Sequence, residues 1–148
     1  MNVAVGLGCD RGTPLATLQD ALRAALAQAG ALAPDVVAAA SITLKADEAG
    51  LLALAAKQGW AMTFFTPAQL AGEPVPNPSE TVRRYTGTPS VSEAAALLAG
   101  ARVFGHEQAL PMTALLVEKF KHRGADGRNA TVSIARCDSF LFLTPERS

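Results

Sequence analysis

The stretch "GLGCDRGTP", residues 6–14, constrains the fold more than any other part of the chain. It follows an apolar run, Asn2 to Leu7, that reads as a buried strand, and it leads straight into an amphipathic run. Thr13 followed by Pro14 is a helix-start signal: a capping hydroxyl, then proline at the first helical position. Leu15, Leu18, Leu22, Leu26 and Ala29 then share one helical face, and Gly30 stops the helix. A strand turning directly into a helix is the building unit of layered α/β domains.

Two phosphate-binding motifs are excluded at this turn. A dinucleotide fingerprint needs glycine where Arg11 stands, and Gly12 comes one residue late. A P-loop needs a Gly-Lys-Ser/Thr ending, which is absent. An anion site of another kind survives the exclusion. Glycines let a ligand approach the backbone, unpaired N–H groups at the helix start attract negative charge, and Arg11 offers a fork for a carboxylate or phosphate. The alternative is a tight structural turn whose arginine pairs with Asp10 or Asp47.

The rest of the chain continues the alternation. Val36 to Leu44 reads as a short strand, and Glu48 to Gln58 as a helix capped by Asp47, with Leu51, Leu54 and Ala55 inward and Gly59 as terminator. "AMTFF" (61–65) is a strand, and Thr66–Pro67 opens a short helix. "GEPVPNPSE" (72–80), with three prolines in nine residues, is a loop. Ser79 caps a short helix through Tyr85, and "TGTP" (86–89) breaks the chain again. Ser90 and Glu93 have capping-box spacing for a helix whose buried stripe is Val91, Ala94, Ala95 and Leu98 and whose end is Gly100. "TALLVEKF" (113–120) and "ATVSIARC" (130–137) read as an antiparallel hairpin, with the basic run "KFKHR" (119–123) toward its tip. The expected fold is a three-layer α/β/α domain, residues 1–148, with a mixed sheet of about four to five strands and a C-terminal hairpin.

Composition removes several function classes. A net charge of zero gives no basic field for nucleic acid or a membrane surface. No run approaches the roughly 20 apolar residues of a membrane span, and the first residues lack a signal peptide's pattern. Cys9 and Cys137 form no CxxC motif, and His106 and His122 bring no third metal ligand near them. The expectation is a cytoplasmic protein with reduced thiols and neither metal nor cofactor.

Four blocks occur in order: "GLGCDRGTP", "ASITLKADEAGLLALA", "NPSETVRRYTGTPSVSEAAALL" and "EKFKHRGADGRNATVSIARC". Together they resemble CobE proteins and, equally, the C-terminal domain of CbiG proteins, both of cobalamin biosynthesis. The resemblance spans roughly residues 3–100 and 113–137, and the length matches the stand-alone CobE form. Residues 101–112 depart from the pattern. The resemblance implies a role in building the corrin ring. CbiG proteins open a cobalt-precorrin lactone and release the extruded carbon as acetaldehyde, whereas CobE proteins go with the oxygen-dependent route. The implied partners are a precorrin or corrinoid acid and other enzymes of the pathway.

Such acids carry acetate and propionate arms on an apolar ring, so cationic side chains, helix starts and apolar surface are needed together. The candidate ligand-binding residues are Gly8, Cys9, Arg11, Gly12, Lys45, Thr86, Gly87, Ser90 and Lys119. Asp47, Glu48 and Glu93 are weak candidates for proton transfer, each with a helix-start role as the alternative. Cys9 is a nucleophile only if its thiolate is stabilised by the helix start. The segments around Gly8–Gly12, Lys45–Glu48 and Thr86–Ser90 should meet on one rim of the sheet, with Lys119 approaching from the late strand.

Overall fold

The computed structural model describes residues 1–138. Its centre is a five-stranded mixed sheet of β1 (Val3–Cys9), β2 (Val36–Ile42), β3 (Thr63–Phe65), β4 (Leu115–Arg123) and β5 (Asn129–Arg136), in the order β3-β2-β1-β5-β4. β1, β2 and β3 run parallel, and the β4–β5 hairpin adds to β1 with β5 antiparallel. The parallel half therefore ends on one rim, with the beginning of β5 beside the end of β1.

Strand alternation assigns the two faces. Val3, Val5 and Leu7 of β1 pack with Val132 and Ile134 of β5 against α1 (Leu15–Ala29) and α2 (Ala49–Gln58). Ala4 of β1, Ala40 and Ile42 of β2 and Ala135 of β5 face α5 (Val91–Arg102), with α3 (Pro67–Ala71) beside it. α4 (Glu80–Thr86) lies at the margin of the α5-side core, which it meets through the half-buried Val82, and none of its residues is fully buried. The layers are helix, sheet and helix, as the alternation requires.

Several local signals act as read. Gly30 and Gly59 end α1 and α2 in the left-handed conformation. Thr66 caps α3 in a full capping box with Gln69, and the Ser79 hydroxyl accepts from the Val82 N–H to cap α4. Others are redirected by tertiary partners. The Thr13 hydroxyl donates to the Asp10 carbonyl (2.7 Å), so Pro14 holds the cap position of α1 without a side-chain bond. Glu48, not Asp47, is the residue before α2. β2 ends at Ile42, and a 3-10 turn over Thr43–Lys45 replaces its expected last residues.

α5 departs furthest from expectation. It is buried on every side from Val91 to Ala101 rather than along one stripe, and it continues through Gly100 to Arg102. Its axis lies almost on β1. A Cβ at Gly6 would collide with the Ser92 carbonyl, and one at Gly100 would lie 2.7 Å from Leu110 Cδ1. These two glycines serve close packing. No described helix is long and apolar enough to cross a membrane.

Candidate functional site

At the carboxyl rim of the parallel strands lies an open cavity of about 480 Å³. Gly8 and Cys9 of β1 form part of its floor, Lys45 reaches it from the turn after β2, and Lys119 and Lys121 come from β4. Val91 and Ser92 bring the first turn of α5. Val82, Tyr85 and Thr86 of α4 form the outer wall. The structure thus brings Gly8, Cys9, Lys45, Thr86 and Lys119 together from four separate segments of the chain.

Lys119 and Lys121, two apart on β4, share a face, and a bulge before them turns that face toward the cavity. Val117 pairs with Ile134 and Phe120 with Val132, three steps on β4 against two on β5. The extra residue changes the alternation, so Val117 and Phe120 both pack on the α1 side while Lys119 and Lys121 line the cavity. The basic run forms the last five residues of β4, up to the pair Arg123–Asn129 that closes the hairpin turn. Burial pushes the half-buried Lys119 ammonium below the usual lysine range; nearby Glu93 opposes this and Lys121 adds to it. Lys45 and Lys121 hold no ion pair among the described residues.

The loop beyond Cys9 has a different arrangement. The Arg11 guanidinium lies 2.8 Å from Asp47 and 2.8 Å from Glu48, and it donates to the Leu44 carbonyl at 3.0 Å. Glu48 is buried and also accepts from the Gly12 N–H at 3.1 Å. Gly12 has φ 79°, which lets that N–H turn toward the carboxylate. The anion held at this helix start is the protein's own Glu48. Arg11, Gly12, Asp47 and Glu48 therefore form a closed cluster beside the cavity and do not line it. Hydrogen bonding from Arg11 holds the exposed Asp47 carboxyl below its usual range.

Glu93 is fully buried and does not complete a capping box with Ser90, which makes no side-chain cap. Its carboxylate accepts from the Asn77 side-chain amide at 2.7 Å and from the Asn77 backbone N–H at 3.2 Å. The same Asn77 amide also donates to Glu118 (3.0 Å), and the Lys119 ammonium donates to the Asn77 carbonyl (3.2 Å). Glu93 anchors the proline-rich loop to the bulged strand. Ser90 is buried away from the cavity, with its hydroxyl unpartnered among the described residues. Gly87 supplies the left-handed turn after α4 (φ 81°) and does not line the cavity either.

Burial, the largest cause, pushes the Cys9 thiol up to about 11, with Lys45 opposing. A neutral thiol at physiological pH argues against a nucleophile. Asn77, Tyr85 and Lys121 are the residues that sequence reasoning missed. Lys121 had a signal, since residues two apart on a strand share a face. Asn77 had none, because its partners lie 16 and 41 residues away.

Comparison with known proteins agrees with this architecture. The family described as "Cobalamin synthesis G C-terminus" matches residues 3–135. A cobalt-precorrin-5A hydrolase from Priestia megaterium is 41% identical over 96 residues, covering 65% of this chain but only 26% of that protein. Protein CobE from Sinorhizobium sp is 37% identical over 102 residues, covering 68% of this chain and 66% of its own length. The crystal structure of CobE, a protein from the cobalamin biosynthetic pathway, superposes with TM-score 0.71 at 31% identity over 93% of this chain and 92% of that one. The cobalamin biosynthesis protein chiG from Agrobacterium tumefaciens superposes with TM-score 0.60 at 29% identity over 93% and 99% of the two chains.

Proposed function

The chain belongs to the Cobalamin synthesis G C-terminus family, and from that membership we propose that it binds a precorrin or corrinoid acid during cobalamin biosynthesis. The observation that carries this reading is the convergence of Lys45, Lys119 and Lys121 on one cavity whose other walls include Ile42, Val82 and Val91. Ammonium groups suit the carboxylate arms, and the apolar side chains suit the ring. At about 480 Å³ the cavity is within the usual range of small-molecule sites, about 300–1,000 Å³. A broad macrocycle enters it by one edge and leaves other arms in solvent. That mode fits a protein that holds an intermediate and hands it on to other enzymes of the pathway. Two free cysteines fit a cytoplasmic setting.

Binding is favoured over catalysis because the acid–base candidates are engaged elsewhere. Asp47 and Glu48 are committed to Arg11, and Glu93 to Asn77. The second reading, a lactone hydrolase acting on a precorrin, rests on the 41% identity to the cobalt-precorrin-5A hydrolase. Visible-spectrum titration with purified precorrins and hydrogenobyrinic acid separates them. A spectral shift without turnover supports binding. A new chromophore with released two-carbon product supports the hydrolase. No response to any macrocycle contradicts both.

A further inference from the structure

α4 supplies cavity wall and touches the core only through the half-buried Val82. None of its residues is buried, and Tyr85, the chain's one tyrosine, is 77% exposed although it lines the cavity. The segment is held by its base and by Val82, which packs on the core. The Ser79 N–H donates to the Pro89 carbonyl (2.9 Å), closing a neck around residues 80–88. Below that neck Asn77 is tied to Glu93, Glu118 and Lys119, and Thr88, Pro89 and Ser90 are buried. Gly87, at φ 81°, lies at the junction between exposed helix and buried base. The base is tied down on several sides, and the short helix above it meets the core only through the half-buried Val82.

Resting on the corrinoid-acid reading above, we propose that Tyr85 is a specificity-determining residue, carried on α4 as a flap that lays its ring against the apolar face of the bound macrocycle. The lysines recognise carboxylate arms and would accept any polyanion of suitable size. An aromatic wall distinguishes a flat apolar ring from a flexible polycarboxylate, because stacking needs a π-face. An exposed aromatic side chain also gains from burial only when something covers it. α4 thus separates selection from charge attraction: the cations sit on strands and turns of the sheet, and the ring contact sits on the exposed helix.

The test uses the full chain and hydrogenobyrinic acid as the ring-bearing probe. Visible titration compares the parent, Tyr85→Phe and Tyr85→Ala, while limited trypsin digestion follows cleavage after Arg83 and Arg84 on α4. Tyr85→Ala should weaken binding roughly tenfold, and Tyr85→Phe should stay within about twofold of the parent because the ring is kept. Cleavage after Arg83 and Arg84 should be rapid in the free chain and slowed when the acid is bound. A parent that binds while Tyr85→Ala binds equally well, or a bound acid that leaves cleavage unchanged, overturns this proposal alone. A parent that binds no macrocycle overturns the functional reading and this proposal with it.

Discussion

Two neighbouring clusters on the same rim use similar residues to opposite ends. In one, Arg11 meets Asp47 and Glu48, and the Gly12 N–H closes on the same buried carboxylate. In the other, Lys45 and Lys121 reach a cavity with no ion pair among the described residues, and Lys119 donates to a neutral carbonyl. The first cluster satisfies its own charges and so has little to offer a ligand. The second leaves positive charge unspent beside apolar surface, which is the condition for binding an anion from solution. A glycine-rich strand–helix turn with an arginine is therefore not in itself an anion site. What decides is whether the fold has already placed a carboxylate there.

The largest expected effects come from breaking the internal anions. Glu48→Ala removes the acceptor for both Arg11 and the Gly12 N–H. It should cost about 2–3 kcal/mol in urea unfolding, as loss of a charged hydrogen-bonding group at a buried position does. Glu93→Ala should cost a similar amount, and Asn77→Ala less, about 1 kcal/mol, because water can replace part of what an exposed asparagine loses. The pair distinguishes the observed anchor from a capping box. If Glu93 served only its own helix end, Asn77→Ala would leave the midpoint where it was.

Next in size is the open cluster. Lys119→Met should weaken hydrogenobyrinic acid roughly tenfold, the usual scale of a charge-assisted contact of about 1.5–3 kcal/mol, and Lys45→Met should act in the same direction. Both losses should shrink at high salt, where exposed charges are screened. Equal affinities in parent and variants at low salt would remove the lysines from the site.

A smaller effect follows from Cys9. Its thiol is raised from 9.0 to about 11 in the folded chain, so the folded form resists ionisation that the unfolded form accepts. Stability from this group is fully present below about pH 9 and declines as pH rises through about 11. Urea midpoints measured across that window should fall, and a Cys9→Ser variant should show a shallower decline. Iodoacetamide labelling of Cys9 should stay slow at pH 7.5; rapid labelling there would restore the nucleophile.

The sheet, the helix order and the hairpin were legible because they depend on local periodicity and on stops such as Gly30, Gly59 and the Thr66–Pro67 pair. Where the reading failed, a distant partner outcompeted a local one. Ser90 and Glu93 have the right spacing for a capping box, but Glu93 bonds Asn77, 16 residues away. Gly100 looks like a terminator, yet it is there because α5 lies against Leu110 and Cys137. The β4 bulge that turns the shared face of Lys119 and Lys121 away from that of Val117 leaves no trace in the alternation of "LLVEKFKHR", since only the pairing with β5 defines it. For Arg11 the sequence offered both a ligand fork and a pair with Asp47, and the geometry takes the pair.

The contrast between the two clusters is tested most directly by titrating Arg11→Ala and Lys119→Met side by side with hydrogenobyrinic acid at low salt. The account predicts that Lys119→Met loses roughly tenfold in affinity. Arg11→Ala should bind within about twofold of the parent, although its urea midpoint should fall, because the buried Glu48 carboxylate then keeps only the Gly12 N–H. An Arg11→Ala variant that loses binding while Lys119→Met retains it would contradict the account and move the site to the glycine-rich loop.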